Sequence, residues 1–241
     1  MKRIYYYILL LPVFALSGCS TIKQIATSLI PSELEMVLGL KDALSQGLFK
    51  SFEAFEDPSG NPLVRFIFPG DAAKIESTLR DIGFSNAIND VTGKFTNAVS
   101  AAVRVAKPMF LDALQRMSIK DAAKILVTDN LHAASDYFKA AMQPDLMAAF
   151  RPIVDSTIHI QGADKEWTLI SNAYNIIPFT KNKLETSLTD FVSARAIDGM
   201  FAIVGTEEAH IRNKYDLRKT DMMKKAFGYA EEELKRRAGI H

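Results

Sequence analysis

The chain opens on an apolar run and then settles into apolar residues that return every three or four positions. Ile4 to Leu16 is apolar or aromatic throughout, a run of 13 residues behind Met1-Lys2-Arg3. A helix that crosses a bilayer needs about 20 apolar residues, and a secretory leader needs only about 7 to 15. From Ser32 the period is helical. Ser32-Glu33-Leu34-Glu35 fits a capping box, and Leu34, Val37, Leu38, Leu44, Leu48, Phe52 and Phe55 follow at helical spacing. Asp57-Pro58-Ser59-Gly60-Asn61-Pro62 ends that helix. Leu63 to Phe68 is strand-like but has no obvious partner strand, so it reads as an extended connector.

Helical patterns resume at Asp71–Ile82 and Ser85–Ala106, and Lys107-Pro108 predicts a kink or an end there. Further helices are expected at Pro108–Met117, from Ser118 to about Val127, at Asn130–Met142, from Pro144 to about Ile160, and at Asp164–Ile176. Ser187–Asn213 carries Leu188, Phe191, Val192, Ala196, Ile197, Met200, Phe201, Ile203 and Val204 on an apolar face. Thr220 or Asp221 caps a last helix to about Ala238, where Glu231, Glu232 and Glu233 each precede a base by four residues. The fold class is therefore all-α, a single multi-helix domain of about eight to ten helices over residues 32–241.

The end of the leader is specific. Leu16-Ser17-Gly18-Cys19 resembles the lipobox of bacterial lipoproteins, in which the thiol receives a diacylglyceryl group and cleavage between Gly18 and Cys19 leaves the cysteine first. The alternative is an ordinary secretory signal with a chance cysteine. Cys19 is the only cysteine in 241 residues, and acylation accounts for its solitude while leaving the domain without disulfides. Residues 1–18 are then a lipoprotein signal peptide and 19–31 a lipidated tether. Fully extended, twelve tether residues reach about 40 Å, which keeps the domain close to the membrane. Ser20 rather than aspartate follows the cysteine; by resemblance to the enterobacterial sorting rule this favours the outer membrane, facing the periplasm.

Charge excludes one class of partner. Loss of residues 1–18 leaves 27 basic and 28 acidic residues, a net charge of −1. Without a basic bias, nucleic acid is not an expected partner. The expected partners are a membrane, through lipid such as palmitate on Cys19, and an envelope protein; a hydrophobic ligand is a further candidate.

The later motifs resemble one family. Ala149-Phe150-Arg151-Pro152-Ile153-Val154, Tyr174-Asn175-Ile176-Ile177-Pro178-Phe179 and Asp198-Gly199-Met200-Phe201 match its internal motifs. Glu207-Glu208 with Ile211-Arg212, then Arg218-Lys219-Thr220-Asp221-Met222-Met223-Lys224-Lys225-Ala226-Phe227-Gly228, matches its C-terminal block. The family is the bacterial domain of unknown function 4197, and the resemblance runs from about Leu40 to Gly228. It implies a small, all-helical, secreted or lipid-anchored protein, and it supplies no reaction, cofactor or catalytic residue. Members often carry a glycine pair after the helix ending near Ile125-Leu126, where this chain has Val127-Thr128-Asp129-Asn130.

Candidate chemistry is sparse. The chain has no HExxH, Walker loop, GxGxxG or GxSxG. Glu207-Glu208-Ala209-His210 spaces a glutamate and a histidine as in di-iron bundles, but no second Glu-x-x-His accompanies it, so no metal or cofactor is expected. Glu208 and Arg212 are four apart and can pair on one helix. Glu207, Glu208, Arg212 and Arg218 are the candidate ligand or anion contacts. Arg218 or Asp221 is otherwise expected to tie the last two helices together. Gly199 implies a close helix approach, and Phe150, Trp167, Tyr174 and Phe179 are either core or the lining of an apolar pocket. No catalytic residue is assigned. The preferred reading is a non-enzymatic, membrane-anchored envelope lipoprotein that binds a protein or supports an envelope assembly. The alternatives are a carrier or sensor of a lipid or other hydrophobic ligand, and a hydrolase using buried Glu207 or Glu208.

Overall fold

A computed structural model describes residues 30–57, 76–116, 118, 122–176 and 187–239. The leader, Cys19 with most of its tether, Leu63–Phe68, Phe179, His241 and the side chain of Tyr174 lie outside the described residues. What is described is helical: α1 (Glu33–Glu56), α2 (Ser85–Arg116), α3 (Ala122–Leu126), α4 (Ala133–Ile160), α5 (Ala163–Ile176), α6 (Leu188–Asn213) and α7 (Asp221–Arg237). A π-helical turn, Arg80–Phe84, leads into α2, and a 3-10 turn, Tyr215–Leu217, joins α6 to α7. No strand occurs among the described residues, and no helix among them is long and apolar enough to cross a membrane.

Local chemistry sets the helix starts. The Ser32 hydroxyl accepts from the Glu35 N–H at 3.3 Å, and the Ser32 N–H donates to the Glu35 carboxylate at 2.9 Å, so the expected capping box forms. Thr220, not Asp221, caps α7, accepting from Met223 N–H. Gly83 takes φ +99 at the entrance to α2, a left-handed geometry that glycine adopts without a Cβ clash.

Three prolines do less than the sequence suggests. Pro108 sits inside α2, so of the kink or end expected there the end does not occur. Pro144 and Pro152 both lie inside α4, which is continuous where two helices were expected. Each proline is exposed, and the residues four positions back, Arg104, Ala140 and Ala148, are exposed as well. The carbonyls deprived of their helical donors therefore face water, which can replace the lost bond.

The core is one cluster, and α1 and α6 are the helices most surrounded by others in it. Val192, Ala196, Ile197, Met200, Phe201, Ile203 and Val204 are buried, and α6 packs against α1, α4, α2 and α7. Phe201 meets Phe110 and Phe138 at 6.0 and 5.7 Å between ring centroids, and Phe110 meets Phe52 at 6.0 Å. Trp167 stacks on Phe191 and tilts against Phe95, and Phe150 is fully buried, so both tryptophan and phenylalanine belong to the core. Close approach occurs at Gly39 and Gly47. A Cβ on Gly39 would stand 2.5 Å from the Ala226 Cβ of α7, and one on Gly47 would stand 3.0 Å from Val204 of α6. On α1, Leu44, Leu48, Phe52 and Phe55 point inward as the periodicity implies. Leu34 and Leu38 of the same series stand outward.

Candidate functional site

The candidate residues sit on the last two turns of α6 and on the connection to α7. Glu208 is 1 % exposed. Its Oε1 accepts from Ala134 N–H at 3.0 Å and its Oε2 from Ser135 N–H at 2.7 Å. Those amides belong to the first turn of α4, where the preceding residue, His132, gives no side-chain cap. A glutamate from α6 thus serves as the cap that α4 lacks, at the end where the helix dipole favours a negative charge.

Arg212 does the converse at another helix end. Its Nε donates to Glu208 Oε1 at 2.9 Å. Its Nη1 and Nη2 donate to the carbonyls of Leu126 and Ile125, at 2.9 and 2.8 Å, at the C-terminus of α3. The guanidinium also lies over the Phe227 ring, 5.4 Å from its centroid. One ion pair on α6 therefore closes the end of α3 and the start of α4, gripping residues 127–132 between them. His132 adds a third attachment, its Nδ1 donating to the Gly205 carbonyl at 3.0 Å. A Cβ on Gly205 would lie 2.9 Å from that nitrogen, so this glycine makes the approach possible. The gripped segment reads Val127-Thr128-Asp129-Asn130. Side chains hold it: Thr128 Oγ1 accepts from Asn130 N–H, and Asn130 Oδ1 from His132 N–H.

Arg218 is 2 % exposed and ties α6 to α7. Nε donates to the Ile211 carbonyl and Nη2 to that of Arg212, both at 3.0 Å, and Nη2 also reaches Glu231 Oε2 at 3.1 Å. The guanidinium lies 5.6 Å from the Tyr215 ring centroid, and Nη1 is buried without a hydrogen-bond partner among the described residues. Lys235 first, and Arg218 after it, hold the Glu231 carboxyl below its ordinary range against the opposing effect of burial.

Glu207 stands apart from this arrangement. It accepts from Gln46 Nε2 of α1 at 2.7 Å, and the same amide donates to the Leu217 carbonyl at 3.2 Å. His210 is half exposed, with Nδ1 3.8 Å from Glu207 Oε2. Among the described residues no three metal-ligating side chains converge. Gln46, which carried no signal in the sequence, also borders an open groove of about 330 Å³ between α1 and the start of α7. Asp42, Phe49, Lys50, Lys219 and Met223 line the same groove. Glu208, Arg212 and Arg218 are buried and do not line it. A second cavity, of about 20 Å³ beside Phe52, Phe55 and Ser100, has room for one water.

The basic residues of the connection are largely engaged. Lys224 faces Asp221 at 3.5 Å, and Lys225 bonds Glu35 at 2.8 Å. That contact, with the Ser32 hydrogen bonds after it, lowers the Glu35 pKa to about 2.

Comparison with known proteins agrees with the motifs. The model of the family described as "Protein of unknown function (DUF4197)" matches residues 31–228. No curated protein and no solved structure matches the chain. The chain belongs to the DUF4197 family, and Glu208, Arg212 and Arg218 all fall within the matched region.

Proposed function

We propose that this member of the family is a lipid-anchored envelope protein, held through Cys19 on the outer membrane and facing the periplasm, whose helical domain is a non-catalytic protein-binding or structural module. The observation that carries the reading is the commitment of Glu208 and Arg212. Both oxygens of the buried carboxylate and all three guanidinium nitrogens are engaged in closing helix ends. A general acid or base must reach the proton it transfers, and a carboxylate held by two amides and a guanidinium is built to fix backbone instead. The leader motif Leu16-Ser17-Gly18-Cys19 supports the anchor, and the groove beside α1 supports a polypeptide partner. Its lining surrounds Phe49 and Met223 with Asp42, Lys50, Glu53 and Lys219, which suits a peptide with mixed charge better than an acyl chain.

The test is in-cell crosslinking from a photoreactive residue in place of Lys50. Recovery of the same envelope protein in repeated captures, lost in a Phe49→Glu variant that is still acylated, is expected. Absence of any crosslink that depends on Phe49 overturns the binding module. Cys19→Ala is expected to block both processing by the lipoprotein peptidase and incorporation of a fatty-acid probe, and normal labelling of that variant would refute the anchor.

A further inference from the structure

A helix on the surface of a domain ordinarily turns its polar side to solvent. The first turns of α1 do the opposite. Leu34 and Leu38 are 66 and 40 % exposed on the side of the helix away from Met36, Gly39, Leu40 and Ala43, and Ile30, just before the helix begins, is 60 % exposed. Leu34 and Leu38 stand one turn apart, about 6 Å along the helix axis. The stripe then stops, because Asp42 and Ser45 take the outward positions that follow.

The charges beside the stripe are each hydrogen-bonded to the domain at its surface. Glu33 accepts from Ala122 N–H at 3.1 Å, Glu35 binds Lys225, and Lys41 Nζ donates to the Gln115 carbonyl at 2.7 Å. Apolar side chains gain by leaving water, and the neighbouring charges keep their own partners when they do. Its place in the chain identifies what it meets. Ile30 follows Cys19 by eleven residues, and Ile22, Ile25 and Leu29 lie between them, so the apolar pattern continues from the acylation site to the stripe. A chain of that length reaches at most about 40 Å, so a domain anchored at Cys19 holds Ile30 within that distance of the bilayer.

We infer that the Ile30–Leu34–Leu38 stripe of α1 rests in the interfacial layer of the membrane that holds the lipid anchor, fixing the orientation of the domain. The inference rests on acylation of Cys19. The occupant is a phospholipid surface, recognised by apolar contact: the near-neutral charge of the mature chain supplies no electrostatic attraction. The membrane-facing part of the domain is then the start of α1, and the groove at Phe49 begins further along the same helix.

The experiment uses the full, acylated protein in neutral phosphatidylcholine vesicles that contain a lipid with a diazirine on its acyl chain. Photolabelled residues are located by tandem mass spectrometry, and the mass of the Cys19 peptide reports acylation in the same sample. Label at residues 30–38 is expected, equally at low and high salt. Leu34→Gln with Leu38→Gln should cut that label about tenfold while the Cys19 peptide stays acylated and the unfolding temperature holds. Acylated Cys19 with label confined to residues before 30 overturns the inference and leaves the anchor intact. A photo-leucine placed at position 34 that crosslinks to residues 20–29, or to a second copy of the chain, overturns it as well. An unacylated Cys19 overturns the anchor and, with it, this placement.

Discussion

Glu208 and Arg212 show how one pair of residues can determine the path of a distant segment. The sequence makes their pairing legible, since glutamate four positions before arginine on a helix is a familiar arrangement. Their other partners are not legible, because they are backbone groups up to 87 positions away, and an amide or carbonyl has no signature in a sequence. The pair is also buried, at 2 and 6 % side-chain exposure, so removing one member strands the other in a medium that cannot solvate it. Glu208→Ala is expected to lower the unfolding free energy by about 3–5 kcal/mol in urea titration, and Arg212→Met added to it should cost less than it does alone. A loss below about 1 kcal/mol would mean that the pair does not hold the α3–α4 junction. Glu232, exposed and paired with Lys235, gives the contrast: its alanine variant should change stability by no more than about 0.5 kcal/mol. Glu35 adds a pH signature. Its folded pKa, about 2, lies below the ordinary value of 4.5 because of Lys225 and the Ser32 bonds. A depressed carboxylate pKa stabilises the fold fully above the unfolded value, and the contribution fades as pH falls toward the folded one. The stability gap between the wild type and Glu35→Gln should therefore be constant above about pH 5, narrow from there downward, and close near pH 2. A gap that does not change over that range would remove the carboxylate charge from the explanation.

Among elements, periodicity located the helices better than it located their breaks. The face of α6 from Val192 to Val204 was readable because a central helix needs apolar residues round most of its circumference. The end at Pro108 and the break at Pro144 were misread because a proline ends a helix only where the carbonyl it strands has no other partner, and exposure of that carbonyl is a tertiary property. The outward Leu34 and Leu38 were masked for a related reason: helical spacing tells which residues share a face, and not which face is buried. Glycines separate local from tertiary demands most sharply. Gly39 and Gly93 both lie inside helices, yet a Cβ on Gly39 would overlap Ala226 Cβ and approach the Met222 carbonyl at 2.7 Å, whereas one on Gly93 meets nothing within 4 Å. Gly39→Ala should push α7 off α1 and cost about 1–3 kcal/mol. Gly93→Ala should stabilise by about 0.5–1 kcal/mol, because an exposed helical alanine loses less chain entropy on folding. Thermal unfolding of the two variants in parallel checks both signs. A neutral Gly39→Ala would imply that α7 is not docked against α1 at this point.

At the scale of the whole molecule, the arrangement of helices makes some parts harder to open than others. Helix α6 is in contact with α1, α2, α4 and α7, and through Glu208 and Arg212 it also grips the ends of α3 and α4. Exposing its amides means separating the core around Phe201 and breaking the buried ion pair together, which amounts to global unfolding. Helix α5 has a different position. It packs against α2 and α4 and, through Trp167 on Phe191, against the start of α6, while Leu169 and Ile176 stand exposed on its outer side. It can lift away with the α6-centred cluster of Phe52, Phe110, Phe138 and Phe201 still closed. Native-state hydrogen exchange should therefore find the slowest amides in the middle of α6, with opening free energies equal to the global value, and faster exchange throughout α5. Glu208→Ala should lower the protection of α6 and of the first turn of α4 together, because one carboxylate serves both, and should bring the protection of α5 closer to the global value, because α5 opens without disturbing that carboxylate. Equal protection of α5 and α6 in the wild type would mean that the domain opens as one unit and that α6 holds no special place in it.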